Sequence, residues 1–162
     1  MEKCESHNYL PQDAANIRKD VFMEEQGFFN EFDEIDKSAT HIIMYENQNP
    51  VATCRIYYCK SHKCYSIGRI AVVKMHRGKQ YGAKILSYAE KEIAKIADSQ
   101  QPAVIRLSAQ KQAVGFYEKQ GYHTAGNFYS DENCLHIRME KVIFPSRRES
   151  SQISVDDFYN NV

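Results

Sequence analysis

The chain has 162 residues, 43% of them hydrophobic and 26% charged, which is enough for one domain with its own core. Lysine plus arginine and aspartate plus glutamate both total 21, so the formal charge is zero and the basic excess of a nucleic-acid binder is absent. No apolar run approaches a membrane span, the N-terminus lacks a signal-peptide pattern, and five cysteines without spaced pairing are read as reduced thiols in a cytoplasm.

In chain order, residues 11 to 26 read as a helix, with Pro11 near its first turn and Ile17, Val21 and Phe22 along one side. The acidic stretch NEFDEIDKSAT has no clear period and reads as a loop. HIIMYE and VATCRIYYC read as strands around an NQNP turn, and KSHK then leads into a third strand, CYSIGRIAVV. A long helix follows, with Leu86, Ala89, Ile93 and Ile96 on its apolar face and Lys84, Glu90, Lys91 and Lys95 toward water. AVIRLSA is the next strand, and QAVGFYEKQ a short helix ended by Gly121. YHTAGNFYS and CLHIRMEKV form a final antiparallel pair. The reading is one domain over 1–144, an α/β (α+β) alternation, followed by a polar tail over 145–162.

RGKQYGAKIL, at the start of the long helix, combines glycines and cations ahead of a helical run, the context in which free amides and the helix dipole attract an anion. A P-loop is excluded, because Gly78 and Gly82 are too close and Lys84 is followed by Ile85. The three-glycine dinucleotide fingerprint is absent as well. The pattern R-x-x-G-x-G/A fits at Arg77, Gly82 and Ala83, with Gln80 in place of the middle glycine. A residue starting a helix is expected to keep φ negative, so Gln80 reads as a question of space near a phosphate, not of backbone strain. On these ten residues alone, glycines that merely shape a loop explain the pattern equally well.

GRIAVVKMHRGKQYGAKIL followed by IRLSAQKQAVGFYEKQGY closely resembles the GNAT superfamily of N-acetyltransferases. The N-terminal half adds R-x-x-V-F-x-x-E-Q (Arg18, Val21, Phe22, Glu25, Gln26) and E-x-D-x-x-D-x-x-A-x-H (Glu31, Asp33, Asp36, Ala39, His41), similar to the small bacterial ElaA-like branch. The resemblance covers about residues 15 to 141. It implies a central, mixed and mostly antiparallel sheet, flanked by helices and splayed open for acetyl-CoA.

The same resemblance implies roles. The pyrophosphate of acetyl-CoA is expected on the amides of Gly78, Lys79, Gln80, Tyr81, Gly82 and Ala83, with Arg77 and Lys79 adding charge. The pantetheine arm is expected along Ile70, Ala71 and Val72 as an added strand. Tyr117 aligns with the tyrosine that the family places near the CoA sulfur; the alternative is an aromatic that only packs its helix on the sheet. For the base that deprotonates the acceptor amine, Glu25 comes first and Asp33, Asp36 and His41 follow, each with a salt bridge or a cap as the rival reading. Arg18 either binds an acidic group of the substrate or pairs with a carboxylate. The acceptor is a small-molecule or peptide amine, with no nucleic acid and no membrane involved, and a homodimer is a further expectation. A zinc site on Cys59, His62 and Cys64 is disfavoured by the loose cysteine spacing and the missing fourth ligand. A cysteine nucleophile is disfavoured because no cysteine lies in the motifs beside the sulfur site. The rival function is a non-catalytic acyl-CoA-binding or protein-interaction module.

Overall fold

The computed structural model describes residues 1–145, so the expected polar tail lies outside the described residues save for Pro145. The strands are β1 (Glu2–His7), β2 (Thr40–Glu46), β3 (Asn49–Cys59), β4 (Cys64–Val72), β5 (Ala103–Gln110), β6 (His123–Thr124), β7 (Tyr129–Asp131) and β8 (Cys134–Ile143). They form one eight-stranded sheet in the order β1-β2-β3-β4-β5-β8-β6, with β7 also pairing with β8. Every pairing is antiparallel except β4 with β5, which is parallel. The polar segment over Glu2–His7 carries no strand pattern, yet it completes an edge of the sheet against β2. The expected strand YHTAGNFYS is instead two short strands, interrupted where Gly126 adopts φ 107°.

Helix α2 (Tyr81–Ile96) covers one face of the sheet, and its buried side chains Ile85, Leu86, Ala89 and Ile93 repeat at helical spacing. They pack on Ile42, Cys54, Ile56 and Ile105, alternate residues of the strands beneath. Ile96 does not extend this stripe as expected; it ends the helix 64% exposed, and Tyr81 at the opposite end takes the extra buried place. Each fully buried Leu or Ile contributes roughly 1.5–3 kcal/mol. Helix α3 (Val114–Lys119) packs on the same side through Tyr117. The opposite face carries α1 (Gln12–Arg18) and its continuation Lys19–Glu25, which winds as a π-helix. Ile17 and Val21 there bury Ala71 of β4.

Two irregularities in β4 position the site. Thr53 pairs with Ala71 and Arg55 with Gly68, so three residues of β4 span what two residues of β3 span. This is a β-bulge, and Arg69 in it has φ 54°. On its other side β4 pairs with β5 only at Tyr65–Ile105 and Ser66–Arg106, after which the two strands part. From Ile67 to Val72, the backbone groups of β4 directed toward β5 therefore have no strand partner.

Gln80 corrects an expectation. It precedes α2 at φ 66° and ψ 17°, in the left-handed region, so the missing glycine is a backbone matter after all. Side chains are disfavoured there because Cβ crowds the following carbonyl. Gln80→Gly is expected to stabilise the fold by about 1 kcal/mol, read as a higher midpoint in urea unfolding. An unchanged or lower midpoint contradicts the strain.

Candidate active site

A cavity of ≈ 640 Å³ opens where β4 and β5 part. One wall is Ile67 to Val72 of β4; the other is Leu107, Ser108 and Gln110 of β5 with Phe116 and Tyr117 of α3. At the mouth lie Arg77 and Gly82, and at the far end Phe28, Glu132 and His136. None of the five cysteines lines it.

Of the residues expected to hold the carrier, Ile70, Ala71, Val72, Arg77 and Gly82 line this cavity. Gly78, Lys79 and Gln80 form the exposed turn that enters α2. The first amides of α2, those of Tyr81, Gly82 and Ala83, precede the first intrahelical bond, Lys84 N–H to the Gln80 carbonyl at 3.0 Å. The side chain of Tyr81 turns inward and hydrogen-bonds Glu46, which pushes its pKa up to about 12, so its backbone alone can serve an anion. Ala83 lines a separate, shallower pocket beside β1. Gly82 is closely packed: a Cβ added there would come within 3.2 Å of Phe116 Cζ, tighter than an ordinary contact.

Tyr117 is 8% exposed and lines the cavity, its ring set edge-on against Phe116 and Tyr122. Its hydroxyl has no hydrogen-bond partner among the described residues. Burial pushes the phenol above its ordinary pKa, which keeps the proton on the oxygen.

Glu25 is not among the residues lining the cavity. Arg77 holds it by two bonds, Nη1 to Oε2 at 2.7 Å and Nη2 to Oε1 at 2.9 Å, and the guanidinium lowers its pKa. A carboxylate so stabilised as an anion is a poor proton acceptor.

Arg18, Asp33, Asp36 and His41 also lie outside the cavity lining, and the structure gives them other partners. Arg18, 1% exposed, donates Nε to Glu31 at 2.8 Å and Nη1 to Asp36 at 2.7 Å. Arg55 donates Nη1 to Asp33 at 2.6 Å and to Asp36 at 2.8 Å. Arg69 reaches Glu31 at 3.0 Å and Asp33 at 3.4 Å. His41 donates Nε2–H to the Asp36 carbonyl at 2.9 Å. The acidic motif thus pins its own loop to α1 and the sheet through three arginines and three carboxylates. The arginine bonds hold Asp36 and Asp33 below the usual carboxylate range, while burial pushes Glu31 up. Arg69 of the bulge belongs to this cluster, so ion pairs fix the left-handed residue of the β4 wall.

The far end of the cavity was not anticipated. β7 and β8 are joined by Glu132 and Asn133 at φ 45° and 63°, the two positive values of a type I′ hairpin turn. The Glu132 carboxylate accepts the amides of Phe29 at 2.9 Å and Asn30 at 3.2 Å, tying this turn to the loop after the π-helix. His136 in β8 sits behind it. A lone histidine on the polar face of a strand gives little signal without the register that places it.

Residues 6–143 match the model of the acetyltransferase (GNAT) domain family. YjcF of Bacillus subtilis strain 168, an uncharacterised N-acetyltransferase, is 33% identical over 133 residues, covering 80% of this chain and 91% of its own. The crystal structure of Escherichia coli ElaA superposes with a TM-score of 0.76 at 24% identity, over 87% of this chain and 99% of that one. An aminoglycoside 6'-N-acetyltransferase complexed with coenzyme A superposes with a TM-score of 0.65 at 15% identity, over 90% and 99%. The family match, over residues 6–143, takes in β2 to β8 and helices α1, α2 and α3.

Proposed function

The chain belongs to the GNAT acetyltransferase family, and from that premise we propose that it moves an acetyl group from acetyl-CoA to a primary amine, directly, within a ternary complex. The observation that carries this reading is the unpartnered edge of β4, which lines the same cavity as Tyr117. An amide-bearing arm such as pantetheine can pair with that edge as an added strand at Ile70, Ala71 and Val72. The free amides at the start of α2, with Lys79 beside them, suit the pyrophosphate, and Arg77, paired with Glu25, would add charge by exchanging that partner for the phosphate. Acetyl-CoA supplies the acyl carbon and a thiolate leaving group. The protein's part is to hold the carrier, to offer amide donors of the bulged strand to charge building on the acyl oxygen, and to give a proton from Tyr117 to the departing sulfur.

Two measurements test the reading. Free CoA release is followed across spermidine, glucosamine, tyramine and a peptide with a free N-terminus, where release with at least one amine separates an enzyme from a binding module. Acetyl-CoA is also expected to raise Tm, since at a hundredfold excess over Kd a ligand of the folded state adds about 2.7 kcal/mol. Gly82→Val is expected to abolish this shift, because its side chain fills the space against Phe116. No shift in the unaltered protein at millimolar acetyl-CoA refutes the cofactor assignment.

A further inference from the structure

We propose that His136 is the base of the reaction, taking the proton from the acceptor ammonium at Nε2. This assignment rests on the acetyl-transfer reading above. Three strands bring the residue to the cavity: His136 of β8 lies opposite Gln110 of β5 on one side and opposite Tyr129 of β7 on the other. Directly opposed residues share a face of the sheet, and His136 and Gln110 both line the cavity.

The ring is fixed in a way that decides its tautomer. Nδ1 lies 2.9 Å from the Cys134 carbonyl. A carbonyl only accepts, so Nδ1 carries a proton whether the ring is neutral or charged. In the neutral ring the lone pair is therefore on Nε2, which has no hydrogen-bond partner among the described residues. Tyr129 stacks on the ring with centroids 5.9 Å apart and planes 22° apart, and Phe28 meets it edge-on at 6.3 Å. The Tyr129 hydroxyl is itself hydrogen-bonded to Ser108, so the stack is held from below.

The rival bases around this cavity are engaged. Glu31 is paired with Arg18 and Arg69, and Glu132 is held by the amides of Phe29 and Asn30. Asp131, exposed at the rim, suits attraction of a cationic acceptor more than proton removal. The titratable and charged groups around His136 are Tyr129 and Asp131 of β7, Glu132 of the turn, Glu31 of the acidic loop, Arg69 of β4, and Arg55 and Tyr57 of β3.

The protons balance. The ammonium gives one proton to Nε2, directly or through one water, and the imidazolium passes it to solvent. The freed lone pair forms the N–C bond as the C–S bond breaks with its electron pair on sulfur. Tyr117 protonates the sulfur, and the second proton leaving nitrogen restores Tyr117 through solvent. Amide, free CoA and one proton result.

The experiment compares unaltered protein with His136→Asn, whose side-chain N–H can still donate to the Cys134 carbonyl, over the amine panel and from pH 5.5 to 9. The expected result is a loss of about a hundred- to ten-thousand-fold in kcat/KM near neutral pH, with the acetyl-CoA shift in Tm intact. The acidic limb of the profile, set by the imidazole, disappears in the variant. Nitrogen NMR of the unaltered protein should show a neutral ring protonated at Nδ1 and a titrating Nε2. Turnover within tenfold of normal, an unchanged acidic limb, a lost acetyl-CoA shift, or a neutral ring protonated at Nε2 each overturns the assignment. An unaltered protein that binds acetyl-CoA but acetylates none of the amines refutes instead the transfer reading beneath it.

Discussion

Tyr117→Phe is expected to lower kcat and kcat/KM together by about a hundred- to ten-thousand-fold while leaving the Kd for acetyl-CoA unchanged. The ring of Tyr117 is packed between Phe116 and Tyr122, and phenylalanine preserves that packing. Only the hydroxyl is lost, and it has no partner among the described residues whose orphaning could disturb the fold. Its proposed use comes as the C–S bond breaks, so it contributes to the transition state alone. Burial raises the phenol's pKa, so the proton is present across the whole working range, and no acidic or basic limb in the rate is expected from this residue. Turnover within twofold of normal removes the acid role and leaves the aromatic-packing reading. Equal losses in rate and affinity assign the hydroxyl to binding.

Asp36→Ala is expected to destabilise the fold by about 3–5 kcal/mol, the range for breaking a buried ion pair by removing one partner. Asp36 is 7% exposed and accepts from both Arg18 and Arg55, and it caps its own loop by accepting the amide of Asp33 at 3.1 Å. Its removal leaves the guanidinium of Arg18, 1% exposed, short of its principal acceptor. For a protein of this size the loss corresponds to a fall in Tm on the order of 10 °C. The pH dependence has a definite sign. Asp36 and Asp33 have folded pKa values below their unfolded ones, so their contribution is complete above ~4 and is lost as pH falls through the folded values. Glu31, shifted up by burial, works in the opposite direction, and its contribution is lost as pH rises through the folded value. A loss under about 1 kcal/mol in urea unfolding contradicts the view of this cluster as a structural clasp.

The order of strands and helices was legible because apolar spacing switches cleanly between periods of two and 3.6, as in HIIMYE against Leu86, Ala89 and Ile93. The edge strand over Glu2–His7 was not, because backbone pairing and not a buried face holds it there. The mouth of the cavity was legible from RGKQYGAKIL, where local chain geometry alone makes a helix start. Gln80 was misjudged because a helix start need not have helical φ at its cap, and the cap here is left-handed. The acidic motif drew attention as candidate chemistry, yet its carboxylates answer Arg18, Arg55 and Arg69, and such pairing depends on contacts between residues up to 38 apart. His136 was invisible for the same reason: its meaning comes from Gln110, Tyr129 and Phe28, which only the folded register brings around it.

The parallel junction of two residue pairs between β4 and β5 makes the sheet, mechanically, two plates with one short seam. β1 to β4 form one plate and β5 to β8 the other, each closed by long antiparallel ladders. Past the seam, both plates end in raw edges that face each other inside the protein, where no foreign strand can dock as readily as on an outer rim. Deuterium uptake should therefore be uneven along β4: slow at Tyr65 and Ser66, fast a few residues later, and slowed again when a carrier arm bridges the gap.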